Sequence, residues 1–343
     1  MARAGVEAKP TWRQVPAAVR ERTESTLSAR VTRASRAWGG YSPTPTFRLL
    51  LADGRRAFFK AASPESTAFA RVAHGREERV YGELHDRIGD WSPRRIASFG
   101  VDDWRVLLLE DVGPKSAPPW TAGLARRVAQ SLGRFHASTA EHRLPDWIPR
   151  PGAHPAMGIR PAAWSFSPDD VARLASLAIN REREAVAWLD AHLPALQQAA
   201  AMIADARFAR ALLHVDVRSD NLRWTNGRLY LFDWPHIGVG PPEFDAAAFA
   251  QTVPIEGGPS EEQVMAWYGE TWPVEPAALD AAVASIAGYF ADHAWAPELP
   301  ELPRVRTFQR QQLAVTLRWA ARRLGLPDPD WVAVIPGARP AGR

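Results

Sequence analysis

Near residue 113 the pattern of apolar residues changes period, and this change limits the fold more than any other feature of the chain. Before it lie short extended runs at residues 29–37, 46–52 and 56–61, then RRIASFG and WRVLLLED. Asp53-Gly54 joins the second run to the third as a tight hairpin turn, and the last two runs turn at Val101 to Asp103. Two helices interrupt this texture, one in PAAVRERTESTL and one in STAFARVAHGREERVYGELHDRI, where Val80, Leu84 and Ile88 recur at four-residue spacing. Beyond Gly113 the chain reads as helix. Leu124, Val128, Leu132 and Phe135 form a stripe, Ser167 and Pro168 open a second helix, Ser260 and Gln263 a third, and Gly325 stops a fourth. The expectation is an α+β chain with a sheet-rich lobe over residues 1–112 and a larger helical lobe over residues 113–343.

Composition removes several classes of function. At 46% hydrophobic and 23% charged residues, the 343-residue chain is an ordinary globular protein in make-up. It has no cysteine, so disulfides and thiolate chemistry are excluded. The beginning MARAGVEAKPTW carries no apolar signal core, and no stretch reaches the ~18 apolar residues of a membrane helix, so a cytoplasmic protein without a membrane partner is expected. The net charge of +4 does not point to nucleic acid, because the arginines are scattered and not interleaved with aromatics. No obligate protein partner is evident. From Leu229 to Pro303 there is no lysine or arginine but twelve acids, which leaves this stretch at −12 and the remainder at +16.

One sheet signal lies inside the helical part, beside the polar stretch LLHVDVRSDNLRW (residues 212–224). Leu222 to Thr225 and Arg228 to Phe232 are extended runs joined by Asn226-Gly227. That turn sets Trp224 opposite Leu229, Leu222 opposite Leu231 and Asp220 opposite Asp233, and its open mouth brings Asp216, Asn221 and Asp233 together. Three oxygen donors gathered this way call for a cation, and Mg²⁺ with a nucleotide's phosphates is the economical one. Gly39-Gly40-Tyr41-Ser42, between two strands, would let a backbone approach phosphates. Lys60 is one of only three lysines and sits mid-strand in AFFKAA, where an ammonium needs an anion and a carboxylate; Glu77 and Glu78 on the next helix offer the carboxylate.

Through GGYSPT, FFKA, REERVYGEL, LLLEDVG and HVDVRSDNL with FDWP, over roughly residues 30 to 250, the chain resembles the aminoglycoside phosphotransferase branch of the protein-kinase-like superfamily. The resemblance implies a bilobal kinase-like fold, with a small antiparallel-sheet N-lobe holding one key helix and a mainly helical C-lobe. It further implies that Gly39, Gly40 and Ser42 cradle phosphate, that Lys60 holds phosphates and pairs with Glu77, and that the backbone of Glu110 to Val112 meets the base. Asp216 would act as catalytic base, Arg218 would stand near the γ-phosphate, and Asn221 and Asp233 would hold Mg²⁺. His214 is read as scaffold. ATP, with GTP as the other candidate, would donate phosphate to a small hydroxylated acceptor. The chain departs from the family in Val215 and Thr44, where glycines are usual, and in DWP for Asp-Phe-Gly, with no Ala-Pro-Glu segment to follow. The acidic run suggests a cationic acceptor such as an aminoglycoside, with some of Glu261, Glu262, Glu270 and Asp292 lining its pocket, and Trp267, Trp272 or Trp295 stacking on a ring; solvated helix faces are the alternative. A metabolic kinase acting on a sugar, amino sugar or choline-like alcohol, and a nucleotide-binding pseudokinase, are the other readings.

Overall fold

The computed structural model describes residues 9–38, 43–140, 143–151 and 162–338. It divides into two compact units. The first comprises residues 1–115, 220–235 and 300–303, and the second 116–219, 236–299 and 304–343. The hairpin at residues 220–235 groups with the first unit, far from it in sequence.

In the first unit α1 (Ala17–Leu27) precedes β1 (Val31–Arg36), β2 (Thr46–Leu51) and β3 (Arg56–Ala62). Then come α2 (Ala68–Glu83), the short α3 (His85–Ile88), β4 (Arg95–Val101) and β5 (Trp104–Glu110). The five strands form one antiparallel sheet in the order β1-β2-β3-β5-β4. The two-residue period of the strands sorts their side chains. Phe47, Leu49 and Leu51 of β2, Ala57, Phe59 and Ala61 of β3, and Val106 and Leu108 of β5 are each at most 2% exposed. They form one core with Val15, Val19 and Leu27. Trp12 stands edge-on to the rings of Phe47 and Phe59, at 5.2 Å from each. The alternate positions, Arg56, Phe58 and Lys60 on β3 with Leu50, Arg48 and Thr46 opposite them, share the other face. Lys60 thus owes its orientation to the burial of its two phenylalanine and alanine neighbours.

The second unit begins with α4 (Ala122–Ala140), α5 (Pro168–Ala175), α6 (Glu182–Ala201) and β6 (Ala211–Leu213). Next in the chain are β7 (Leu222–Thr225) and β8 (Arg228–Leu231), the hairpin of the first unit. The second unit resumes with β9 (Gly238–Gly240), α7 (Glu243–Ala250), α8 (Thr252–Ile255), α9 (Glu261–Gly269), α10 (Pro276–His293) and α11 (Val305–Arg323). β6 pairs antiparallel with β9. Helix α10 is the hub, packed on α5, α6, α7 and α11. No described helix is long and apolar enough to cross a membrane.

Helices expected in GLARRVAQSLGRFHA, SPDDVARLASLAI, SEEQVMAWYGE and PRVRTFQRQQLAVTLRWAARRLG are present as α4, α5, α9 and α11, and Ser167 with Asp170 closes a full capping box. Three helices and a strand pair had no periodic signal. In α10, twelve residues around the whole circumference are buried, and α7 is buried at all eight positions, so neither shows the one-sided stripe that marks an amphipathic helix. Helix α6 carries Pro194 inside it, and β6 and β9 have only three residues each.

Candidate functional site

In the first unit, Lys60 Nζ lies 2.5 Å from Glu77 Oε2 and 2.6 Å from Asp233 Oδ1. Of the two candidate carboxylates on α2, it is Glu77 that meets the lysine, and it is 1% exposed. Burial works against the charge of Lys60, but Asp233 and Glu77 outweigh it and hold the ammonium above its ordinary range. Burial dominates for Glu77, whose carboxyl is raised despite Lys60 beside it. The same surroundings push His74 down to about 4, through burial first and the Lys60 charge second. Tyr81 is raised well above the phenol range by burial and by the charges of Glu77 and Asp233. Lys60 thus bridges two carboxylates, the deeply buried Glu77 and the more exposed Asp233 of the hairpin.

Asn226 and Gly227 both take positive φ, 52° and 73°, as a two-residue hairpin turn demands. The register is the expected one: Leu222 faces Leu231 and Trp224 faces Leu229. The ladder continues one step further, with the Phe232 N–H donating to the Asn221 carbonyl at 3.0 Å, and this holds Asn221 and Asp233 at the hairpin mouth. Asp220 does not stand in the ladder opposite Asp233; it lies in a short 3₁₀ turn and pairs with Lys115. Among the described residues no three His, Asp or Glu side chains gather as a metal cluster. An amide oxygen and one carboxylate nevertheless fit Mg²⁺, which takes one or two protein oxygens and completes its shell with phosphate and water. Glu110 ends β5 opposite Ala57, and the next residue, Asp111, receives Arg48 Nε at 3.0 Å on both carboxylate oxygens. Val112 follows, before Gly113 at φ 95°.

The second unit holds the other half of the polar stretch. Asp245, fully buried on α7, accepts the N–H of His214 at 2.6 Å and of Val215 at 2.7 Å. Val215 adopts φ 72°, the left-handed conformation that glycine takes readily. His214 Nδ1 accepts the Asp216 N–H at 3.3 Å. Behind Asp245 stands a buried relay: His136 Nε2 lies 3.4 Å from the carboxylate and its Nδ1 lies 2.8 Å from the Tyr268 hydroxyl. Burial, followed by the charges of Glu243 and Asp245, raises that phenol well above its usual range. Arg218 Nε donates to Asp216 Oδ1 at 2.9 Å, and its guanidinium lies 5.5 Å over the Phe308 ring. Ser219 donates to Glu256 Oε1 at 2.5 Å, and Trp120 Nε1 donates to Glu256 Oε2 at 2.6 Å.

Gly39, Gly40 and Ser42 lie outside the described residues. The acids nominated for an acceptor pocket are engaged within their own unit. Glu261 pairs with Arg322, Glu262 accepts Trp319 Nε1 at 2.6 Å, and Glu270 accepts Arg126 at 2.8 Å and Gln130 at 2.6 Å. Asp292 Oδ2 lies 3.7 Å from His293 Nδ1. Trp272 donates to Glu243 at 3.4 Å, and Trp295 lies under Arg173 at 5.1 Å. Sequence reasoning did not single out Asp245, His136 or Glu256. A signal existed for Asp245 alone, as an acid inside the alanine-rich run EFDAAAFA. The bonds of the other two span more than thirty residues and leave no local trace.

The chain has relatives of known structure. No curated protein matches it in sequence. Among solved structures, a spectinomycin phosphotransferase in complex with ADP and spectinomycin is 12% identical, with 93% of this chain and 96% of that one covered at TM-score 0.55. A thermostable aminoglycoside phosphotransferase mutant with ADP and hygromycin B is 14% identical, covering 94% and 100% at 0.54. The macrolide 2′-phosphotransferase of Brachybacterium faecium is 15% identical, covering 91% and 98% at 0.50. These likenesses establish a protein-kinase-like fold. The model of the phosphotransferase enzyme family matches residues 33–281, a span that contains Lys60, Glu77, Asp216, Asn221, Asp233 and Asp245 alike, and the chain belongs to that family.

Proposed function

We propose that the protein is a small-molecule kinase that moves the γ-phosphate of ATP or GTP to a hydroxyl group, with Mg²⁺. The observation that carries this reading is the cluster Lys60, Glu77 and Asp233 in a chain of phosphotransferase ancestry. Lys60, oriented by Glu77, would hold the donor's phosphates, and Asn221 and Asp233 would hold the metal, which when bound neutralises charge on the transferring group. Asp216 would accept the proton of the acceptor hydroxyl. Arg218, fixed on Asp216 Oδ1 and on Phe308, orients that carboxylate and would add a positive charge for the phosphoryl oxygens. Gly39, Gly40 and Ser42 are proposed as phosphate contacts on sequence grounds, and the backbone of Glu110 and Val112 as the seat of the base.

Two acceptor classes follow from different observations. The run of acids supports a cationic acceptor, an aminoglycoside or related antibiotic, and a role in resistance. The pairing of Glu261, Glu262 and Glu270 inside the unit favours a sugar or other alcohol without several positive charges, since carboxylates already engaged give a polycation little to bind. A nucleotide-consumption screen of aminoglycosides, macrolides, sugars and hydroxylated amines separates them. Asp216→Ala is expected to lower transfer to the responding acceptor by about a hundredfold or more. Unchanged transfer removes Asp216 from the chemistry, and nucleotide binding without any turnover supports a pseudokinase instead.

A further inference from the structure

The parity of the sheet determines what stands beside Lys60. Phe58 and Arg56 share its face of β3; Arg48 and Leu50 lie opposite them on β2, and Ser35 and Arg33 continue the face on β1. Strands rise about 3.3 Å per residue, so Phe58 and Arg48 lie roughly 7 Å along the sheet from Lys60. If Lys60 holds the phosphates, as the proposed function has it, this is the level a nucleotide's base reaches. Phe58 there faces Leu109, next to Glu110.

At that level the chain places guanidinium groups. Arg48 is fixed by Asp111, whose Oδ1 also accepts the Gly113 N–H at 3.1 Å, so this carboxylate is well supplied with donors. Arg33, Ser35, Arg48, Arg56 and Asp111 line a cavity of about 230 Å³. The hairpin adds Arg223, whose guanidinium lies 4.8 Å over the Phe232 ring and donates to the Leu222 carbonyl at 2.6 Å. Arg223 is half-buried, and Asp220, Arg48 and Asp111 stand near enough for their charges to act on it. All of these residues belong to the first unit.

A guanidinium only donates. The outer edge of adenine offers one donor and one acceptor to it, N6 and N7, whereas guanine offers two acceptors, O6 and N7, which one arginine spans with two hydrogen bonds. The geometry points to a guanine-selecting base site in which Arg48 and Arg223 are the specificity-determining residues, making GTP the preferred phosphate donor over ATP.

The test is calorimetric binding of Mg²⁺-GDP and Mg²⁺-ADP to the full chain, which needs no acceptor. GDP is expected to bind at least about tenfold more tightly than ADP, and both Arg48→Met and Arg223→Leu to bring the two within about threefold by weakening GDP alone. Arg223→Leu leaves the Arg48–Asp111 pair intact and decides the matter if Arg48→Met does not fold. ADP binding as tightly as GDP, or a ratio unmoved by Arg223→Leu, overturns the inference while the kinase reading stands. Absence of binding by either nucleotide overturns both.

Discussion

Val215 shows how much one residue can ask of its surroundings. A β-branched side chain in the left-handed region costs on the order of 1–2 kcal/mol, and here it is also buried. Asp245 offsets that cost by accepting two consecutive backbone N–H groups, a geometry only a carboxylate supplies. Asp245→Asn turns an NH₂ toward an N–H in a fully buried place, and is expected to cost about 3 kcal/mol, read by urea unfolding. A variant as stable as the parent would show that the loop does not depend on this bond. His74 makes a second residue-scale prediction. Its folded pKa of about 4 lies below the ordinary 6.5, so the unfolded chain binds the extra proton between those values. Stability is then full above pH 6.5 and lost as pH falls toward 4, by roughly 3 kcal/mol at most. Unfolding curves at pH 8 and 5 should show a smaller loss in His74→Gln than in the parent; Lys60 and Asp233, the charges that act on His74, remain in both. Equal losses would assign the acid sensitivity elsewhere. Lys60 was legible in the sequence because a lone mid-strand lysine needs partners, whereas Asp245 took its meaning from a loop thirty residues away.

Among the elements, those with one buried face announced themselves and those buried all round did not. The strands of the first unit and the hairpin β7–β8 could be placed because alternation and Asn226-Gly227 leave only one register. Helices α7 and α10 were silent for the reason that makes them central: no continuous solvent face, no period. The segment after α8 was silent too, and it carries Glu256, whose two oxygens hold Ser219 and Trp120. At Gly258 any side chain would meet Trp120 and Val253 at 2.6 Å, so this turn and the tryptophan are fitted to each other. Ser219 lies three residues beyond Asp216, and Glu256 therefore acts as a positioning residue for that stretch. Glu256→Ala is expected to lower kcat by about a hundredfold, with the KM for nucleotide changed far less. Glu256→Gln should restore much of it, since its carbonyl can accept Trp120 while its amide donates to the Ser219 oxygen. A Gln variant as impaired as Ala would mean that the charge, not the bracket, matters.

For the whole molecule, the division into units separates the groups expected to bind from the group expected to transfer. Lys60, Glu77 and Asp233 lie in the first unit and Asp216 in the second, although the chain crosses from one unit to the other between Ser219 and Asp220. The sequence could forecast a sheet-rich and a helical part, yet not this interleaving, because membership of a unit is decided by bonds such as Leu231 N–H to the Trp91 carbonyl at 2.6 Å. The consequence can be measured without knowing the acceptor. A ligand that binds only the folded chain stabilises it by about 2.7 kcal/mol at a hundred times its Kd. Saturating Mg²⁺-nucleotide should therefore raise the melting temperature of the parent and of Asp216→Asn by equal amounts, because the role proposed for Asp216 lies with the acceptor hydroxyl and not with the nucleotide. Lys60→Met should lose most of that rise, since it leaves Glu77 buried without its cation as well as removing the phosphate contact, and its own melting temperature should already be lower. Equal shifts in all three proteins would mean that the nucleotide binds somewhere other than at Lys60.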